Sequence, residues 1–403
     1  MHIASIISLI ILTACFAMWF FASIKNLKFN KNIFIALTSA ILMSICTFAY
    51  FFEPVGGDLS RHYELLEQMK MGGWNFASNK SQYSSLFIYN IFAYLIAQSG
   101  NYALLQTIPL IIDFVIFIHI YFDVTKRNNV DSSSISAKDS FFVFFLWITS
   151  FGLKLAITGI RCVLAVALCA WALYNEYICK RKKGLSIAMY IVALFIHNFA
   201  LWIIAIRLAM LVKKKGVVVS ILLIVILFGH MIVQFLYDIV PNRYLQFIFA
   251  RILETFSEFQ LGGENLENSG SAILMTWAGF VLLAIYLLYM SNFVKKHYQY
   301  ENAFNKSEKV YTDALFDACY TIGLMGLPMA FNYLYMERYM YLIAWAFLMI
   351  SYYYLKTVRI CLPQKKKNFE IMTGMTFVCL FVLFFNDIYI LMVNYVGYYF
   401  LAM

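Results

Sequence analysis

Charge is the scarcest feature of this sequence. Of 403 residues, 13% are charged and 63% are hydrophobic. A soluble globular chain carries about 25% charged residues, so a water-facing domain of this length is excluded. Cysteine is present but unorganised. The eight residues lie mostly inside apolar runs, with no CxxC spacing and none in a long connector, which argues against a disulfide framework or a thiolate metal site. No internal repeat is visible. The first apolar run starts almost at Met1, without a basic n-region or a small-residue cleavage pattern. It reads as a retained helix rather than a removed signal. The net charge of +10 comes mostly from lysine clusters beside the ends of apolar runs. That is the positive-inside pattern, and no nucleic-acid partner is expected. Aromatic residues reach 19%, as interfacial belts and lipid-facing surfaces require.

What is there is a series of apolar runs, several close to the roughly 20 residues that span a hydrocarbon core as a helix. Lysine-rich connectors at 25–31, 126–138, 180–183, 213–215, 295–309 and 356–367 are the cytoplasmic candidates. Placing all six inside gives consistent parity. The expectation is an all-α, polytopic integral membrane protein forming one membrane domain over 1–403. It has about twelve transmembrane helices, both termini outside, and short re-entrant or interfacial helices on the outer side. The crossings fall at about 3–23, 33–51, 102–122, 140–153, 158–178, 217–236, 272–291, 311–331, 339–355 and 371–391, plus a pair inside 185–212. Residues 52–83 form a first outer loop and 238–271 a large one. The run 84–97 is too short to cross comfortably and is followed by Gln-Ser-Gly-Asn, so it reads as interfacial or re-entrant. Residues 185–212 lie between two lysine clusters and must cross an even number of times. They read as a short hairpin with His197 and Asn198 at its tip, the alternative being one long helix that breaks the charge rule.

The outer connectors keep arginines that anchoring alone does not require. In the first loop, Gly56 and Gly57 permit a turn before Asp58, a plausible N-cap, with Arg61 and His62 in the next turns. Asp58 could accept a proton or orient a sugar hydroxyl, and Arg61 could face a phosphate. The plain structural reading is a capped surface helix. Arg161 opens a crossing, with Lys154 seven residues before it. Snorkelling to the interface competes with a guanidinium fork held in a cavity to bind phosphate. His197 lies in an apolar run and is either a packing residue or part of a site. His230, Gln234 and Asp238 recur every four residues and should line a cavity. Loop 238–271 contains an amphipathic helix with Leu245, Ile248, Phe249, Ile252, Leu253 and Phe256 on one side and Arg251, Glu254 and Glu258 on the other. It reads as a surface anchor or a lid. Glu337 and Arg338 sit at a late outer turn and could pair with each other. Asp113, near the middle of its crossing, needs a partner or a proton; a relay with His119 is disfavoured because six residues do not share a helix face. No cluster in the outer loops requires a metal.

In order along the chain, Asp58 and Tyr63 form D-x-x-x-x-Y, Ile160-Arg161 opens a crossing, Lys180–Lys183 precede a short apolar segment ending in His197, and Arg338-Tyr339 stands at a helix turn. This pattern resembles the bacterial Wzy-type O-antigen and capsule polymerases, in particular their EpsG-like branch. The resemblance spans most of the chain, but 238–271 has no matching motif. It implies a metal-independent glycosyltransferase of the bacterial inner membrane, without cofactor, working at the periplasmic face. The growing glycan would pass from undecaprenyl diphosphate to the next lipid-linked repeat unit, with membrane lipids and a chain-length regulator as further partners. Diphosphate departure needs cations. Arg161, Arg243, Arg251 and Arg338 are the candidates, with Arg61 next. The acceptor hydroxyl needs a base, for which Asp58, His197 and Glu258 qualify. Tyr63, Trp74 and Tyr244 could stack on sugar rings. A lipid-linked glycan flippase or exporter, an O-antigen ligase, a membrane acyltransferase and a structural membrane subunit stay open as alternatives. Transporters usually show repeats, and a structural subunit would not need so many outer arginines.

Overall fold

The computed structural model describes residues 3–52, 57–81, 83, 85–128, 135–152, 157–241, 270–298, 306–330 and 333–360, with the single positions 246, 253 and 374. Arg243, Tyr244, Arg251 and Glu258, nearly all of the loop that holds them, and the last expected crossing lie outside the described residues, as do Lys154 and the side chains of Asp58 and His230.

The helices are α1 (Ile3–Ile24), α2 (Lys31–Tyr50), α3 (Gly57–Asn75), α4 (Phe87–Ser99), α5 (Leu104–Arg127), α6 (Ala137–Phe151), α7 (Ile160–Leu173), α8 (Lys183–Leu194), α9 (Ala200–Ala209), α10 (Lys215–Ile239), α11 (Gly270–Tyr298), α12 (Lys306–Met329) and α13 (Tyr333–Ile360). Two π-helical turns, Phe76–Lys80 and Tyr174–Ile178, extend α3 and α7. Two short strands, β1 (Lys28–Phe29) and β2 (Ile135–Ser136), pair antiparallel. The protein is an all-α membrane protein, apart from this strand pair among the described residues. α13 is its central element. It packs against α5, α6, α7, α11 and α12, and nearly every side chain from Tyr339 to Tyr354 is buried. A helix apolar on all sides belongs in such a position.

Four described helical segments are long and apolar enough to cross a membrane: Ile6–Ile24, Lys31–Tyr50, Leu104–Arg127 and Thr276–His297. The bent pair Lys215–Ile224 and Leu227–Ile239 makes a fifth if it is one span. The expected twelve is not reached on these terms. The physical reason is burial by protein. α12 and α13 have 24 and 28 residues, but their neighbours shield them from lipid, so they can carry tyrosines and charges. α6 and α7 are short, with 15 and 14 residues.

The described parts of the lysine-rich connectors gather at one end of the bundle. Lys28 pairs with Ser136 and Phe29 with Ile135, joining the connector after α1 to the one before α6. Arg359 pairs with Asp139. Asp123 takes Arg127 at 3.1 Å, Arg181 at 3.2 Å and the Tyr174 hydroxyl at 2.7 Å. The Tyr174 hydroxyl in turn lies 3.4 Å from that of Tyr311. Asp317 accepts from Tyr177 at 2.8 Å and Lys215 at 3.3 Å. The wider winding of a π turn re-aims side chains, and in 174–178 four successive ones reach different partners. Tyr174 and Tyr177 donate as above, Asn175 accepts from Arg181 at 2.8 Å, and Glu176 accepts from Arg207 Nε at 2.7 Å and Nη2 at 2.6 Å.

The ion pair of Arg207 with Glu176 settles the path of 183–209. Both Lys183 and Arg207 stand at the lysine-rich end, so α8 and α9 form a hairpin, and the single long helix is ruled out. The 12 residues of α8 rise only about 18 Å, short of the roughly 30 Å hydrocarbon thickness. α4, with 13 residues, is equally short. Gly100 ends it in a left-handed conformation at φ 71°, where a glycine is at no steric disadvantage. The Tyr89 N–H, near the start of α4, donates to the Phe195 carbonyl of the hairpin turn at 3.2 Å. Two segments too short to cross are thereby stitched together.

Candidate active site

The site grows from α3. Leu59, His62, Leu65, Leu66 and Met69 are all buried, the i, i+3, i+7 stripe of an amphipathic helix. His62 travels inward with that stripe. Arg61, about 100° around the helix, is exposed. The expectation for this turn therefore fell on the neighbour of the residue that faces the interior. The Tyr89 hydroxyl lies 2.8 Å from His62 Nδ1, and the rings of Tyr83 and Tyr89 stand 5.4 and 5.6 Å from the imidazole. Tyr63 is half-buried and its hydroxyl donates to Gln106 Oε1 at 3.3 Å. Gln106 Nε2 donates to the Ala49 carbonyl and, at 3.0 Å, to that of Phe52, so it binds the chain at and just past the end of α2. Tyr63 thus tethers α3 to α2 and α5.

Arg161, the second residue of α7, lays its guanidinium 3.9 Å from the Tyr83 ring centroid and 5.2 Å from that of Tyr89, a cation–π cradle. Its Nε is buried and has no hydrogen-bond partner among the described residues. Arg338, in the second turn of α13, is half-buried. Both arginines act electrostatically on His197 and on the Cys162 thiol, which places them at one locus. Neither is ion-paired with a carboxylate among the described residues. The arginines along the opposite end (Arg127, Arg181, Arg207 and Arg359) all have carboxylate partners.

His197 is buried in the turn between α8 and α9, and its Nδ1 accepts the Phe199 N–H at 3.0 Å. Burial, then the charges of Arg338, Arg161 and His62, hold this imidazole well below the usual histidine range, so it is neutral. The N-terminal ends of α7, α9 and α13 all lie at this locus, beside Arg161, His197 and Arg338. Such ends carry partial positive charge and favour anions. Cations there repel the helix ends as well as each other. An anion relieves both.

A family model described as EpsG family matches residues 34–400. The chain belongs to the EpsG family. No curated protein and no solved structure matches it. The matched stretch of this EpsG-family chain runs from α2 past the end of α13 and so contains every residue of the cluster. Membership points to polysaccharide polymerisation in a membrane.

Other expected residues stand apart. Asp113 is fully buried beside Cys46, with neither carboxyl oxygen hydrogen-bonded among the described residues. His119 lies 6.4 Å from Trp171, towards Arg181 and Lys182, so the two form no relay. Gln234, half-buried on α10, donates to the exposed Asp238 at 3.0 Å, while the His230 side chain of the same stripe lies outside the described residues. Trp74 packs edge-on against Tyr94 at 5.3 Å, and the Tyr339 hydroxyl donates to the Ile322 carbonyl at 2.8 Å. Among the described residues no group of three His, Cys, Asp or Glu side chains could hold a metal. Sequence reasoning did not select Tyr83 or Tyr89. Their only sequence signal is two tyrosines flanking the start of a short apolar run.

Proposed function

We propose that this EpsG-family protein polymerises oligosaccharide repeat units carried on undecaprenyl diphosphate, at the periplasmic face of a bacterial inner membrane. The acceptor hydroxyl oxygen of one repeat bonds to the anomeric carbon of the growing glycan. The anomeric C–O bond to diphosphate breaks, with both electrons leaving on the diphosphate oxygen. The hydroxyl proton passes to a base, for which Asp58 and Glu258 are the carboxylate candidates. Arg161 and Arg338 grip the diphosphate and stabilise the charge that develops on it. Arg61, Arg243 and Arg251 would extend that grip, and Tyr63 and Tyr244 would border the glycan. The remaining crossings complete about twelve spans, and a chain-length regulator is an accessory partner.

The observation that supports this reading is the pair of arginines without carboxylate partners among the described residues, beside a neutral histidine and three helix N-termini. Their charge is left for a ligand. The test is Arg161→Ala and Arg338→Ala in cells that make the polymer. The expected outcome is a membrane-inserted protein with single repeats accumulating on lipid and long chains lost. Normal-length polymer from both variants overturns the proposal.

A further inference from the structure

The His197 ring is oriented by its own turn. A backbone N–H can only donate, so the bond from Phe199 makes Nδ1 the unprotonated nitrogen. The neutral imidazole therefore carries its proton on Nε2. To act as a base, His197 would have to take a proton at Nδ1, the nitrogen that Phe199 already occupies. It would then become a buried cation facing Arg338 on α13, Arg161 on α7 and His62 on α3. Geometry and charge both oppose that step.

We infer that His197 serves the site as a fixed N–H donor to an oxygen of the bound lipid diphosphate, and that it is not the base for the acceptor hydroxyl. This rests on the diphosphate reading above. Nε2 keeps its proton throughout. Its hydrogen bond strengthens as the anomeric C–O bond breaks and negative charge gathers on the departing oxygen. The Phe199 N–H is the positioning contact. It lies two residues along the same turn, so the backbone of the hairpin tip fixes the ring.

The test uses the full-length protein in detergent with farnesyl diphosphate as the probe. Binding is measured for wild type, His197→Ala, His197→Gln and Arg161→Ala, with thermal unfolding of each variant recorded alongside. Loss of one donor to a charged oxygen should weaken binding of His197→Ala by roughly tenfold. His197→Gln, whose amide N–H can replace Nε2–H, should recover most of that loss. Between about pH 6 and 8 the binding profiles of wild type and His197→Gln should superimpose, because the ionisation of the ligand is common to both. Two results overturn the donor role: binding by His197→Ala equal to wild type, or an acid limb of the polymerisation rate that disappears in His197→Gln. Unweakened binding by Arg161→Ala instead sinks the diphosphate reading itself, so the two failures are distinguishable.

Discussion

Arg161 gains its meaning from its surroundings. Its ring contacts at 3.9 and 5.2 Å hold the flat face of the guanidinium and leave its edge for a ligand. A lysine cannot reproduce a planar, stacked fork. Arg161→Lys should therefore behave nearly as Arg161→Ala in polymer synthesis, each losing about 10²–10³-fold. Restoration of long chains by lysine would show that charge alone suffices. Tyr89→Phe keeps the face under Arg161 and deletes only the hydroxyl on His62, so it should lose less polymer than Tyr89→Ala. Equal losses would deny the cradle. His197 carries a pH signature. Its folded pKa is depressed by burial and then by Arg338, Arg161 and His62, while an unfolded histidine titrates near pH 6.5. Below that value the unfolded chain binds more protons, so the stabilising contribution is full above about pH 6.5 and declines as the pH falls towards the folded pKa. The unfolding temperature should drop more steeply on acidification in wild type than in His197→Gln, and parallel curves would reject this.

At the scale of elements, the α8–α9 hairpin is held at its base by Arg207 and Glu176, whose side chains are only 16% and 17% exposed. Removing one partner strands the other charge, at a typical cost of about 3–5 kcal/mol. Arg207→Ala should unfold at lower temperature and also lose polymer, since the hairpin tip carries His197. Unchanged stability would mean the clamp is dispensable. The α11–α12 contact depends on Gly323, where a Cβ would lie 3.1 Å from the Leu288 nitrogen and 3.2 Å from the Ala284 carbonyl. Backbone cannot yield as a flexible side chain does, and close helix approach through small residues drives association in membranes. Gly323→Leu should separate these helices and lower the yield of folded protein in detergent. The hairpin was legible in the sequence because two lysine clusters demand an even number of crossings. The π turn at 174–178 was not, because its four polar side chains only acquire distinct directions once their partners are in place.

The whole molecule is polarised. One end collects the described parts of the lysine-rich connectors and arginines that each have a carboxylate partner. The other collects Arg161, Arg338 and His197, with Tyr83 and Tyr89 packed on Arg161 and His62 against those two rings. In a variant cleared of native cysteines, a cysteine introduced at Lys182 should react with an impermeant thiol reagent only from the cytoplasmic side, and one at Arg61 only from the outside. Labelling of both from one side would overturn the proposed orientation.

Sequence alone determined the class and the polarity. Low charge, apolar runs and lysine spacing are one-dimensional signals, because a bilayer imposes its requirements on each segment separately. The ordered motifs also suffice for the family resemblance. Only the tertiary structure decided which polar residues meet. Arg61 and His62 are adjacent in the chain but face different ways on α3. Tyr83, Arg161, His197 and Arg338 come from four distant segments, brought together by the packing of α7 on α13 and by the hydrogen bond that ties α4 to the hairpin. Periodicity fixes which way a side chain faces on its own helix, whereas its partner depends on how helices cross.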